Sequence, residues 1–159
     1  MAGEVYLTRA GFEKLSKELE QLKGPERRRI SKAIGEARQQ GDISENAEYD
    51  AAKDAQAHCE ARIAELEGKL SNVRIIEDQN IPSDKIYIGA LVTLRESGKS
   101  AEVKYQLVSP EESDFDNNKL SVFSPVGKGL VGRAVGEEVT VDVPAGRFKY
   151  KVLKIERPK

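Results

Sequence analysis

Two long stretches of helical periodicity, separated by only a handful of residues, leave this chain few ways to fold. From Thr8 to about Gln40, Leu15, Leu19 and Leu22 recur at spacings of four and three, and Ile30, Ala33, Ile34 and Ala37 continue the stripe. From Asn46 to about Glu77, Ala52, Cys59, Ile63, Leu66, Leu70 and Val73 hold an a/d spacing, with Glu60, Arg62, Glu65, Glu67 and Lys69 between them. Helices joined by so short a connection run antiparallel and bury their stripes together. At 1.5 Å per residue, arms of roughly 30 residues reach about 45 Å. Near the turn the stripe is lined by Ala33, Ala37, Ala47, Ala51, Ala52 and Ala55, whose small side chains let the arms approach closely. Thr8 is the expected N-cap of the first arm. Gly24-Pro25 interrupts that arm, and a proline there predicts a kink or short break.

Beyond residue 79 the pattern changes. Ile81-Pro82-Ser83-Asp84 reads as a linker, placed at 80–83, and residues 84–159 follow a period of two. Val103, Tyr105 and Leu107 alternate with polar residues, as do Val139, Val141 and Val143, and then Phe148, Tyr150 and Val152. A small antiparallel sheet with a short helix near Pro125–Val131 is expected, giving an α+β chain: a hairpin over 1–79, then the sheet domain.

Charge and cysteine content exclude several functions. With 26 basic and 27 acidic residues the net charge is -1, which gives no general affinity for nucleic acid or membranes. One cysteine, Cys59, rules out an intramolecular disulfide and agrees with a reducing compartment. No signal-peptide core or membrane-length apolar run is present, so a cytoplasmic protein is expected. The single His58 has no second ligand at zinc spacing. Gly127, Gly129 and Gly132 lack the strand, long helix and acid of a dinucleotide site.

The distribution of charge is more informative than its sum. Arg27, Arg28, Arg29 and Lys32 form a basic cluster; Asp42, Glu45, Glu48, Asp50 and Asp54 form an acidic one soon after. Asp42 and Glu45 fall at the hairpin turn, within 41–46. The spacing admits two readings. Asp42 could cap the second helix with Glu45 completing a capping box, or both carboxylates could point outward as ligands for Mg²⁺, which commonly takes one or two protein carboxylates and keeps several waters. Ile43, an apolar side chain on an exposed turn, suits a tip that docks into something.

The stretch Gly41-Asp42-Ile43-Ser44-Glu45-Asn46-Ala47-Glu48-Tyr49-Asp50-Ala51-Ala52-Lys53 resembles the tip signature of the Gre transcript-cleavage factors. The similarity continues through Cys59–Ile63, through Lys69–Asn72, and through Ser121–Gly132, where Gly-Leu-Val-Gly is nearer the GreA branch than the GreB branch. The resemblance implies a coiled-coil hairpin followed by an FKBP-like domain over 84–159 that docks on RNA polymerase. The hairpin enters the polymerase secondary channel and meets the 3′ end of backtracked nascent RNA. Asp42 and Glu45 are then the catalytic carboxylates, sharing Mg²⁺ with the polymerase active site and not binding it tightly alone. The protein is by this account an accessory and not itself an enzyme. Arg38 and Lys53 match the family's basic patch for RNA, with Ser44 and Asn46 either touching RNA or capping a helix. Phe123, Ser124 and Pro125 fall in the polymerase-docking loop, although a polar residue is usual where Phe123 stands.

Rival readings are a channel-binding inhibitor with the same fold, a peptidyl-prolyl isomerase acting through the FKBP-like domain, and a coiled-coil adaptor without chemistry. Intact Asp42 and Glu45 speak against the first, and the absence of any Trp against the second.

Overall fold

A computed structural model describes residues 3–42 and 45–158. They divide into two compact units: residue 3 with 12–73, and residues 4–11 with 74–158. Residues 80–83 lie inside the second unit.

The first unit is the hairpin. Helix α1 (Arg9–Gln21) passes through a π-helical turn (Leu22–Glu26) into α2 (Arg27–Arg38), and α3 (Ala47–Leu70) returns. Ile30, Ile34, Ala52, Cys59 and Ile63 form its core, with Leu19, Leu22, Ala33, Tyr49 and Ala55 packed around them. Both arms thus bury the stripes their periodicity marks. Outside the seam, charged side chains tie arm to arm. Arg27 grips Glu60 through two hydrogen bonds of 2.9 and 2.6 Å, Arg62 grips Glu18 at 2.8 and 3.1 Å, and Lys23 lies 3.1 Å from Glu67.

The expected break at Gly24-Pro25 is absent. The helix widens by a turn instead, with the Arg27 N–H reaching the Leu22 carbonyl five residues back, and the chain continues helical on either side. The second arm ends sooner than its pattern suggests. Ser71 caps α3 after Leu70, and Val73 begins a strand instead of a further turn.

In the second unit, β1 (Val5–Leu7) pairs with β2 (Val73–Ile75). The first turn of α1 belongs here and is held by carboxylates. Thr8 Oγ1 accepts the Gly11 N–H at 3.0 Å as the N-cap, Glu112 accepts the Thr8 N–H at 2.8 Å, and Glu77 accepts the Arg9 N–H at 3.0 Å. A Cβ at Gly11 would meet the Glu112 carboxylate, which would have to move aside.

Five further strands make the main sheet: β3 (Leu91–Glu96), β4 (Glu102–Val108), β5 (Lys119–Ser121), β6 (Glu138–Val143) and β7 (Gly146–Glu156), in the order β5-β4-β3-β7-β6. β3 runs antiparallel to β4 and β7, and β6 and β7 form a hairpin. β5 is parallel to β4, so the sheet is mixed and not wholly antiparallel. The longer excursion through 109–118 brings the chain back in the same direction, which a tight hairpin cannot do. Helix α4 (Pro125–Leu130) buries Leu130 in a core of Ile86, Ala90, Val92, Leu94, Leu107, Val139, Val141 and Val152. Among the described residues no helix is long and apolar enough to cross a membrane.

Candidate metal-donating hairpin tip

The turn of the hairpin is built from two helix ends. α2 closes with Gln39 and Gln40 donating to the Glu36 and Ala37 carbonyls, each at 3.2 Å. Gly41 then takes φ 127°, a conformation that glycine reaches without strain, and the chain leaves the helix. On the return, Asn46 is the N-cap of α3: its Oδ1 accepts the Tyr49 N–H at 3.1 Å. Its Nδ2 donates to the Ala37 carbonyl at 2.6 Å, which ties the start of one arm to the end of the other. Glu48 and Asp50 occupy the first turn of α3, where the helix dipole favours negative charge.

The N-cap of α3 is thus Asn46 and not Asp42. The cap lies four residues beyond Asp42, because Asn46 is itself a preferred cap and its amide also reaches across the hairpin. Asp42 and Glu45 are both exposed and line a shallow depression with Gln40, Asn46, Ala47 and Glu48. Gln40 and Glu48 thus join the two carboxylates there. Among the described residues, no group of three or more His, Cys, Asp or Glu side chains is arranged to hold a metal by itself. Two exposed carboxylates and an amide are hard oxygen donors of the kind Mg²⁺ takes.

Behind the tip, Arg38 lies on α2 with its guanidinium 5.8 Å from the centre of the Tyr49 ring. Tyr49 itself packs on the hairpin core. Lys53, on α3, donates to Gln56 at 2.8 Å. Both cations are exposed. Ser44, with Ile43, lies outside the described residues. Of the basic cluster, Arg27 and Arg29 are engaged by Glu60 and Glu26, each carboxyl held below its ordinary range by the hydrogen bond it receives.

In the second unit Ser124 caps α4, accepting the Gly127 N–H at 3.1 Å and donating to the Ser121 carbonyl at 2.7 Å, and Pro125 opens the helix. A Cβ at Gly127 would stand 2.1 Å from the Ser121 carbonyl oxygen, so α4 is pressed onto the end of β5. This tight turn leaves Phe123 projecting, 66% exposed. Phe115 is exposed as well and lies against Tyr105, with ring centres 6.5 Å apart.

A helical hairpin with acidic residues at its turn, carried by a chain that also folds a small mixed-sheet unit, defines a class: a two-unit protein whose described tip residues line only a shallow depression. A family model described as the N-terminal part of transcription elongation factors matches residues 5–75, and one for the C-terminal part of GreA/GreB matches residues 81–157. The chain belongs to the GreA/GreB transcription elongation factor family. Relatives include the transcription elongation factor GreA of Chloroherpeton thalassium, 47% identical over 98% of this chain and 99% of that protein. GreA of Chlorobium phaeovibrioides is 49% identical over 98% of each. Among solved structures, GreA factor homolog 1 of Thermus thermophilus is 33% identical, covering 97% of this chain and 99% of that one, with a TM-score of 0.45.

Proposed function

We propose that this chain is a transcription elongation factor that enters the secondary channel of RNA polymerase and stimulates the polymerase's own cleavage of backtracked RNA. The observation that carries the reading is the position of the α3 cap. Asp42 and Glu45 both stand exposed at the turn, and the N-cap of α3 is Asn46, beyond them both.

In this reading the two carboxylates supply oxygen ligands at the polymerase active centre and accept a hydrogen bond from the attacking water. Mg²⁺ bound there makes the water a better nucleophile and offsets charge on the phosphodiester. The tether from Asn46 to Ala37 limits the movement of the carboxylates relative to the arms, which matters because misplacement by about 1 Å can cost 10²-fold. Arg38 and Lys53 attract the extruded RNA by its phosphates, a sequence-independent pull that weakens with salt. Phe123, with Ser124 and Pro125 setting its turn, docks the second unit on the polymerase. The factor is thus an accessory that completes another protein's active site, and it works in the cytoplasm, where that polymerase is.

The test is transcript cleavage in a stalled, backtracked elongation complex with the parent protein, Asp42→Asn and Glu45→Gln. Loss of transition-state ligands worth several kcal/mol lowers the rate by on the order of 100-fold in each variant, while competition for polymerase stays near that of the parent. Variants that cleave at the parental rate would remove the metal-donating role. A parent protein that binds polymerase yet never stimulates cleavage would replace it with channel blocking.

A further inference from the structure

The outgoing arm carries two apolar stripes that do not share one register. Leu15, Leu19 and Leu22 set a four–three repeat whose continuation falls on Glu26, Arg29, Ala33 and Glu36. Of these only Ala33 packs on the hairpin core, and only partly; the buried side chains are each one position further on: Ile30, Ile34 and Ala37, at 4%, 8% and 2% exposure. Arg29 and Glu36 are exposed. In an unbroken α-helix a one-residue offset turns the second stripe away from the first by about 100°. Ile30 and Ile34 would then swing off the seam.

The π-helical turn at Leu22–Glu26 lies between the two stripes and absorbs that offset. A π-turn holds one more residue than the α-turn it replaces, so the chain stays helical while the phase of every later residue shifts back. The hydrogen bond from the Arg27 N–H to Leu22 marks it. The partner arm recognises the same point, since the Cys59 Sγ lies 3.8 Å from the Leu22 carbonyl oxygen. Pro25 fits within the turn because it has no N–H to leave unpaired. A Cβ at Gly24 would meet nothing closer than the Arg28 side chain at 3.7 Å, so no crowding demands glycine there.

We propose that Leu22–Glu26 is a phase-setting insertion, in which one extra residue in the outgoing arm fixes the rotation at which α2 delivers the turn and its carboxylates. It is a positioning segment for the tip, and its link to cleavage rests on the function proposed above. Residue count, and not the chemistry of glycine or proline, is the operative quantity.

Two full-length variants separate these ideas, because both lack the proline and they differ by one residue. Deletion of Pro25 removes the extra position, whereas Pro25→Ala keeps it. The chain has a single cysteine, buried on the seam, so the rate at which Ellman's reagent labels Cys59 reports phase directly. Deletion is expected to speed labelling by roughly 10-fold or more through seam opening. It should also lower stimulated cleavage by a comparable factor through misplacement of the tip. Pro25→Ala should stay near the parent in both. The proposal is overturned if the deletion leaves Cys59 protected and cleavage intact, or if Pro25→Ala exposes Cys59 as much as deletion does. Labelling that follows residue count while cleavage is unchanged overturns the link to the tip. A failed function reading shows separately, as normal cleavage by Asp42→Asn alongside the same labelling pattern.

Discussion

The hairpin and the mixed-sheet unit solve the problem of burial in opposite ways. The sheet unit gathers Val92, Leu94, Leu107, Leu130 and Val152 with no exposed surface at all, walled by strands and α4. The hairpin core of Ile30, Ile34, Ala52, Cys59 and Ile63, a seam between the arms, is smaller in number, and each of these side chains keeps 3–8% of its surface exposed. Cross-arm pairs such as Arg62–Glu18 and Arg27–Glu60 flank that seam. If the turn carries the working residues, as proposed above, the hairpin cannot thicken there without losing access. Its stability is therefore distributed along its length, whereas that of the sheet unit is concentrated at its centre.

The contrast is broken most severely by Leu94→Ala. Truncating a fully buried leucine costs about 2–5 kcal/mol, and hydrogen exchange of the full chain should show protection lost across β3, β4 and β7. The hairpin core should be left far less changed. A matching change in the hairpin, Ile63→Ala, should fall at the lower end of that range, since a narrow seam beside solvent relaxes around the gap more easily. Equal costs at the two sites would remove the distinction.

A smaller effect sharpens the comparison at the tip. Asn46→Ala removes both the N-cap of α3 and the bond to Ala37. About 1 kcal/mol of helix stability should be lost, with faster exchange confined to the first turns of α3 and a fall in stimulated cleavage. Asn46→Asp keeps the cap but not the donor to Ala37, so it should recover helix protection without recovering all of the activity.

The smallest effects concern the flanking pairs. Exposed ion pairs are screened by solvent and contribute little, so Arg62→Met should shift the hairpin's exchange only slightly. Acid sums these contributions. Arg62 hydrogen-bonded to Glu18, Arg27 to Glu60, and Lys69 with Arg62 to Glu65 hold those carboxyls below their ordinary value of 4.5. Depressed folded-state values mean that the stabilisation is complete above that value and disappears as pH falls through the lower folded ones. Circular dichroism melts should therefore be flat from neutrality to about pH 5 and decline below about pH 4. High salt should mimic part of that decline at neutral pH.

What the chain discloses before folding follows the same division. The hairpin is legible because a one-dimensional seam leaves a one-dimensional signature, read in Ile34 and Ala37 on one arm and Cys59 and Ile63 on the other. The alternating strands β4, β6 and β7 are legible because each has one wet face. β3 leaves no such trace: it is flanked by β4 and β7, and Thr93 is 5% exposed although its neighbours Val92 and Leu94 face the core. The direction of β5 is set by the path of the preceding loop, which periodicity does not encode. At the tip, the residue types were readable, but the assignment of the cap was not. Asp42 and Asn46 are both good caps, and only the tether to Ala37 distinguishes them. The π-turn is hidden because Gly24-Pro25 looks like a stop signal when its two flanking stripes are not compared for register.

Gly41 has one further consequence. Its φ of 127° belongs to the mirror-image half of backbone space, yet among the described residues, its chain neighbours aside, no atom lies within 4 Å of where a side chain would begin. Handedness, not bulk, is what the reversal selects at this position. An ordinary alanine has the wrong configuration, whereas D-alanine introduced by chemical ligation has the right one and fewer unfolded conformations to lose than glycine. The turn of the hairpin thus offers a site at which one methyl group of the right configuration can stiffen the backbone.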